Sequence, residues 1–151
     1  MKNLAIAACI LCCHLGRPNV AHAQPAAQLV RLAVVDNSGS MQGERISVVR
    51  EELHKLLRQL PPSAEYPFAL IAFDSSAQKV RTFTTLKDAK QAIDQLDGSG
   101  GGTNIAAGLA EAYRALTRHA TVPNTWVLLY TDGGDGDKDA ILREEGRLDS
   151  L

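Results

Sequence analysis

The feature that most constrains the fold is an apolar run that ends in one carboxylate and two hydroxyls. Residues 32–35 are apolar, Asp36 follows them, and Ser38 and Ser40 then come at alternate positions. The run over residues 30–35 lacks strict alternation, which predicts a strand buried on both faces and therefore helices above and below it. The oxygen atoms that follow would stand at the carboxyl edge of a sheet, where they suit Mg²⁺, Mn²⁺ or Ca²⁺.

The rest of the pattern alternates strands with amphipathic helices. Apolar strands are predicted over residues 67–73 and 125–130, and residues 79–83 alternate polar with apolar side chains, as an edge strand in a hairpin does. Helices are predicted between them, the first with a buried stripe made of Ile46, Val49, Leu53, Leu56 and Leu60. This order predicts an α/β three-layer sandwich, with a mostly parallel central sheet and one antiparallel edge strand.

Two more polar groups stand where this fold would gather a site. Four glycines interrupt the helical pattern between Asp97 and Asn104, with Thr103 at the end of the loop, and Asp132 follows the last apolar strand. Ligands of such sheets sit beyond the carboxyl ends of the strands, where the strand order reverses. In the common doubly wound order the first and fourth strands flank that point, so we expect Asp36 and Asp132 to meet there.

These separated pieces resemble the von Willebrand factor A domain and its metal-ion-dependent adhesion site. The resemblance covers about residues 29–139 and rests on Asp36-x-Ser38-x-Ser40, on Thr103 after the glycine loop, and on Asp132 in Thr-Asp-Gly. It implies a Rossmann-like fold in which Ser38, Ser40 and Thr103 offer hydroxyl oxygens to a divalent cation. It also implies that Asp36 and Asp132 bind the cation directly or through water, and that an Asp or Glu of a partner protein fills a remaining position.

The chemistry of the residues agrees with that implication. Two carboxylates balance a doubly charged ion, and neutral hydroxyls complete the shell without adding negative charge, so the ion stays attractive to an incoming carboxylate. We expect Mg²⁺ first, with Mn²⁺ or Ca²⁺ as alternatives, because Zn²⁺ and Cu²⁺ prefer imidazole or thiolate ligands. The predicted function is metal-dependent protein binding in interaction or adhesion, with no catalytic residue and no organic cofactor.

Other interpretations of the same residues stay open. Residues 36–40 could form only a turn followed by a helix cap. Thr103 taken alone is typical of an N-cap for the following helix, a role that it could combine with ligation. A metal-assisted hydrolase is a second function, although Ser38 stands where an aspartate-nucleophile phosphatase needs a second acid and no general base stands out. A third is a scaffold whose site is empty or purely structural.

The amino-terminal segment predicts export. Lys2 precedes a mostly apolar stretch over residues 4–15, and small residues lie at 21–23, which together predict a signal peptide cleaved after Ala23 and a secreted or periplasmic protein. That apolar stretch is too short for a stable span, so we expect none in the mature chain. Residues 24–28 are predicted to be a linker. A net charge of −1 provides no basic surface, so no nucleic-acid partner is expected.

Residues 29–151 are predicted to form one domain, and a partial one. Little chain follows Asp132, whereas the family continues through more strands and helices. We therefore expect a chain that lacks the last of these elements. In that case residues 126–130 would form an unprotected apolar edge, which is a recognised aggregation hazard.

Overall fold

The computed structural model describes residues 9–12, 31–60, 66–83, 85–118, 125–133 and 137–151. The strands of this part of the chain are β1 (Cys9–Cys12), β2 (Arg31–Asp36), β3 (Tyr66–Phe73), β4 (Arg81–Phe83) and β5 (Trp126–Tyr130). Its α-helices are α1 (Glu44–Gln59), α2 (Leu86–Asp94), α3 (Ile105–Arg118) and α4 (Lys138–Asp149). A single turn of 3-10 helix, Gly39–Met41, joins β2 to α1.

The strands form one mixed sheet in the order β1-β5-β2-β3-β4. The central strand β2 runs parallel to both β3 and β5, whereas β4 pairs antiparallel with β3 and β1 pairs antiparallel with β5. The predicted α/β sandwich with a mostly parallel sheet is therefore confirmed. Its antiparallel edge strand is β4, and β1 adds a second one that the sequence reasoning missed.

The edge of β5 is paired in this chain. Cys9 lies opposite Leu129 and Cys12 lies opposite Trp126, so residues of the predicted signal peptide cover the edge at residues 126–130 in the uncleaved chain. The unprotected edge stays a prediction for the chain after cleavage. The remainder of the predicted signal peptide, and the predicted linker at residues 24–28, lie outside the described residues. Cleavage after Ala23 and a missing carboxyl-terminal part stay predictions. No helix in the described ranges is long and apolar enough to span a bilayer.

Two apolar layers cover the two faces of the sheet. Ala33 and Val35 of β2 face α1 and α2, whereas Leu32 and Val34 face α3 and α4, and these four side chains are at most 1% exposed. Burial on both faces explains why this stretch does not alternate between polar and apolar residues. Each buried Leu or Val side chain contributes about 1.5 to 3 kcal/mol to folding.

The buried stripe of α1 differs at one position from the predicted one. Ile46, Val49 and Leu53 are buried as expected, but Leu57 is fully buried while Leu56 is only partly so. A step of four residues from Leu53 follows the 3.6-residue period more closely at this point. Leu57 thus takes the place of Leu56 in the buried stripe, and the same face of α1 packs on the sheet.

Helix α3 lies in unusually close contact with the sheet. A Cβ atom added to Gly108 would lie 2.8 Å from Cδ1 of Phe73 and 3.1 Å from Cγ1 of Val34. There is thus no room for a side chain between α3 and strands β2 and β3. This close approach fixes the start of α3, and with it the end of the glycine loop, beside the carboxyl end of β2.

We predict that Gly108→Ala lowers the free energy of unfolding by about 1 to 3 kcal/mol, because the added methyl group overpacks the contact with Phe73. Alanine would otherwise stabilise a helix by up to about 1 kcal/mol. Gly146→Ala in α4 is the matched control, since a Cβ atom there meets nothing within 4 Å. Urea denaturation followed by circular dichroism measures both variants. Equal stabilisation by both substitutions would contradict the close packing.

Candidate metal-binding site

The candidate site lies where the strand order reverses. The chain continues from β2 into β3 on one side of β2, whereas β5 joins on the other side. Val35 pairs with Tyr130, so the register places Thr131, the next residue, beside Asp36. The loops that follow β2 and β5 therefore meet at the crevice that the predicted topology requires.

Asp36 is a fully buried carboxylate, 0% exposed. Its Oδ1 atom accepts a hydrogen bond from the N–H of Ser38 at 2.9 Å, and its Oδ2 atom accepts one from the hydroxyl of Thr131 at 2.8 Å. Both donors are neutral. Within the described ranges no Arg, Lys or His side chain forms an ion pair with Asp36. Burying a carboxylate without a compensating positive charge is costly, so Asp36 marks a place where positive charge is lacking.

Three hydroxyls form a short chain beside this carboxylate. The Oγ atom of Ser38 lies 3.0 Å from the Oγ atom of Ser40, and it accepts a hydrogen bond from the hydroxyl of Thr103 at 3.0 Å. Ser38 is 1% exposed, and its backbone forms an isolated parallel bridge with Gly100 of the glycine loop. Hydroxyls from two segments that are distant in sequence are thereby brought to one point.

Helix α3 is capped by Asn104 and not by Thr103. The side chain of Asn104 accepts a hydrogen bond from the N–H of Ala107 at 2.9 Å, so Asn104 caps α3. The interpretation of Thr103 as the N-cap is therefore wrong, and its hydroxyl contacts Ser38 instead. The turn interpretation of residues 36–40 is correct, since the carboxylate of Asp36 accepts from the N–H of Ser38, but the side chain of Ser38 makes no capping hydrogen bond.

Asn37 holds the glycine loop against the end of β2. Its side-chain oxygen accepts hydrogen bonds from the N–H groups of Asp97 at 3.1 Å and Gly98 at 2.9 Å. Its backbone oxygen accepts from Gly100 at 2.9 Å, and a Cβ atom on Gly100 would lie only 2.7 Å from that oxygen. The glycines thus allow the loop to approach the protein backbone. The sequence reasoning treated Asn37 only as a turn residue.

The loop after β3 supports the glycine loop from the other side. The hydroxyl of Ser75 accepts a hydrogen bond from the N–H of Gly102 at 2.9 Å, and the backbone oxygen of Asp74 accepts from Asn104 at 2.7 Å. The carboxylate of Asp74 accepts from the N–H of Ser76 at 3.0 Å, which is the hydrogen bond typical of an aspartate in a turn. Thr103 is therefore held between two anchored neighbours, Gly102 and Asn104.

Asp97 adds a negative charge next to Asn37. The hydroxyl and then the backbone N–H of Ser99 donate to its carboxylate, at 2.7 and 3.0 Å, and these bonds lower the pKa of Asp97 below its ordinary value. Because the ordinary pKa of an aspartate is already far below 7, the shift does not change the charge of this exposed side chain at neutral pH.

Asp132 is near the site but is engaged by an arginine. Its Oδ2 atom lies 2.6 Å from Nη1 of Arg45, and the same nitrogen donates to the backbone oxygen of Ser40 at 2.8 Å. The structure therefore brings Asp36, Ser38, Ser40 and Thr103 together through direct contacts, and links Asp132 to them through Arg45. The sequence reasoning missed Arg45, because nothing in the pattern of α1 separates it from the other surface charges of that helix.

The donor set fits a hard divalent cation. The side chains of the five candidate ligands offer only oxygen atoms, two of these residues are carboxylates, and the buried one has no cationic partner among the described residues. Hydroxyl and carboxylate oxygens are the ligands of Mg²⁺, Mn²⁺ and Ca²⁺, whereas zinc sites are built mainly from imidazole and thiolate groups. The residues that could hold a cation are Asp36, Ser38, Ser40, Thr103 and Asp132.

Comparison with known sequences gives one consistent result. The pattern of the von Willebrand factor type A domain matches residues 32–134. Inter-alpha-trypsin inhibitor heavy chain H4 of Sus scrofa is 32% identical to this chain over 110 residues, which are 66% of this chain and 12% of that protein. The chain thus spans only a small part of the length of this relative.

Solved structures of low sequence identity share the fold. A von Willebrand factor type A protein from Catenulispora acidiphila is 19% identical with a TM-score of 0.61, over 81% of this chain and 31% of that one. Proximal thread matrix protein 1 from the mussel byssus is 20% identical with a TM-score of 0.66, over 81% and 35%. The von Willebrand factor domain of the type V pili tip protein Mfa5 from Porphyromonas gingivalis is 19% identical with a TM-score of 0.57, over 68% and 37%.

We predict that Thr131→Val lowers the free energy of unfolding in EDTA by about 1 to 3 kcal/mol, because Oδ2 of the buried Asp36 loses its donor. The hydroxyl of Thr131 also accepts a hydrogen bond from the N–H of Gly133, which is lost too. Thr131→Ser keeps the hydroxyl and is the matched control. Urea denaturation compares the two variants, and equal stability of the Val and Ser variants would contradict the role assigned to this hydrogen bond.

Proposed function

The chain belongs to the von Willebrand factor type A domain family, whose members are protein-interaction and adhesion modules, and we propose that it binds a protein partner through a divalent cation. The residues that would hold the cation are Asp36, Ser38, Ser40, Thr103 and Asp132. The partner would contribute the carboxylate of an Asp or Glu. Mg²⁺ is the proposed cation, with Mn²⁺ and Ca²⁺ as alternatives, because all three prefer oxygen ligands.

One observation carries this proposal, namely that the fully buried Asp36 accepts hydrogen bonds from neutral donors alone in the part of the chain that the structure describes. Two neutral hydrogen bonds reduce the cost of burying a carboxylate but supply no opposite charge. The hydroxyls of Ser38, Ser40 and Thr103 lie together next to this carboxylate. A charged oxygen and several neutral oxygens in one place are the ligands that a hard cation requires.

The hydroxyls account for the capture of an acidic partner. A bound divalent cation would supply the positive charge that attracts the carboxylate of the partner. The serine and threonine hydroxyls add no negative charge of their own, so the carboxylates of this chain do not outweigh the cation. The backbone contacts of Asn37 and Ser75 hold the glycine loop in place, and the hydroxyl of Thr103 is thereby positioned before any partner arrives.

We propose no catalytic role for the site. His54 lies on α1 and contacts Asp94 of α2 at 2.9 Å, away from the hydroxyl cluster. In the described ranges neither His nor Lys contacts Ser38, Ser40 or Thr103, so a hydrolase would have to use one of the carboxylates proposed as metal ligands as its general base. Together with the predicted signal peptide, this favours a secreted or periplasmic binding module over an enzyme, and the expected ligand is a protein rather than a nucleic acid.

We predict that the full chain binds one Mn²⁺ and that Asp36→Ala or Ser38→Ala weakens that binding at least about tenfold, which corresponds to about 1.4 kcal/mol. Electron paramagnetic resonance measures free Mn²⁺ in the titration, and Mg²⁺ competes for the site. Ser47→Ala is the control, because its hydroxyl contacts Gly43 and Arg50 on the surface of α1. Mn²⁺ binding that is unchanged in both site variants would contradict the proposal.

We also predict how the chain recognises carboxylates. Immobilised synthetic peptides that carry Asp or Glu should retain the full chain in Mg²⁺, and the matched peptides with Asn or Gln should not. Retention should disappear in EDTA and in the Ser38→Ala variant. Retention that persists under either condition would point to a surface other than this site.

A further inference from the structure

We infer that the guanidinium group of Arg45 competes with the metal ion for the carboxylate of Asp132. A metal ion that makes full use of Asp132 as a ligand must therefore displace Arg45. The inference rests on the proposed function, because it concerns how the same site obtains its ligands. Arg45 would then set the affinity of the site for its metal ion, although it is not itself a ligand.

The geometry of Arg45 carries this inference. A single nitrogen, Nη1, lies 2.6 Å from Oδ2 of Asp132 and 2.8 Å from the backbone oxygen of Ser40. The side chain of Asp132 is 17% exposed and that of Arg45 is 37% exposed, so the pair is partly shielded from water. A charge-assisted hydrogen bond of this length is among the stronger polar contacts in proteins.

Arg45 contacts both halves of the site. Asp132 follows β5, and Ser40 lies in the turn after β2. The guanidinium group holds these two segments together at the place where both carry a proposed ligand. It does so from the first turn of α1, whose backbone is fixed by packing on the sheet.

The two carboxylates of the site differ in their charge balance. Among the described residues Asp36 has only neutral donors, whereas the charge of Asp132 is already matched by Arg45. A divalent cation at Asp132 would have to displace the guanidinium group from Oδ2 or bind at Oδ1 beside it, and in either case it would meet a like charge at short range. Among the described residues, the carboxylate of Asp36 therefore lacks a cationic partner, and the charge of Asp132 is fully available to a metal ion only when Arg45 moves.

An alternative role for Arg45 predicts the opposite result. If the guanidinium group only oriented Asp132 toward the metal ion, its removal would loosen a ligand and weaken metal binding. If it competes with the metal ion, its removal strengthens binding. The sign of the change in affinity therefore separates a competitor from a positioning residue.

The test compares Arg45→Gln with Arg50→Gln in the full chain by Mn²⁺ titration. Both substitutions remove one positive charge from α1, but Arg50 contacts Ser47 and the backbone oxygen of Asp94 instead of the site. We expect Arg45→Gln to bind Mn²⁺ about fivefold more tightly than the wild type, the equivalent of about 1 kcal/mol. Arg50→Gln should stay within about twofold, because salt screens its more distant charge.

Each outcome decides one question. Tighter binding by Arg45→Gln alone, or binding seen only in that variant, supports the inference. Equal or weaker binding by Arg45→Gln, or the same gain in Arg50→Gln, overturns it and leaves the proposed function intact. Absence of Mn²⁺ binding in both the wild type and Arg45→Gln overturns the proposed function and the inference together.

Thermal unfolding provides a second readout that needs no titration. In EDTA, Arg45→Gln should unfold at a lower temperature than the wild type, because Asp132 loses its ionic partner. In saturating Mg²⁺ the difference should shrink or reverse, since the cation replaces the guanidinium group. A difference in melting temperature that is the same in EDTA and in Mg²⁺ would contradict displacement.

Discussion

The burial of one carboxylate without a matching positive charge is the constraint on which the rest of this structure depends. Asp36 ends the central strand of the sheet, and it is fully enclosed because helices cover both faces of that strand. Among the described residues, its two oxygens accept hydrogen bonds from the N–H of Ser38 and the hydroxyl of Thr131 and from no other group. The turn after β2 supplies the N–H of Ser38, and the register of β5 supplies the hydroxyl of Thr131. Neither donor carries a positive charge that could offset the charge of the carboxylate.

Much of the fold could be predicted because its elements have strong local patterns. The run before Asp36 indicates a strand buried on both faces, and the strand does lie between two helical layers. The stripe on α1 was wrong by one position at Leu56, where periodicity alone cannot decide between neighbouring leucines. Strand β1 was missed because a short apolar segment near the amino terminus resembles a signal peptide at least as closely as a strand.

The site could be predicted only in part, for a different reason. Its hydroxyl and carboxylate residues stand in a recognisable order, but their supports depend on tertiary contacts between segments. Asn104, and not Thr103, caps α3, and one residue of offset between two good capping residues is beyond what spacing can resolve. Asn37 and Arg45 act across sixty or more positions of sequence. Contacts of this length leave no periodic signal in a single chain.

The central claim, that these oxygens hold a divalent cation, is tested most directly by a crystal structure of the full chain grown in Mn²⁺. Anomalous scattering locates the ion without any assumption about the protein. We expect the strongest anomalous peak among the hydroxyls of Ser38, Ser40 and Thr103, next to the carboxylate of Asp36. A structure in which the ion lies elsewhere, while these hydroxyls keep only their contacts with one another, would contradict it.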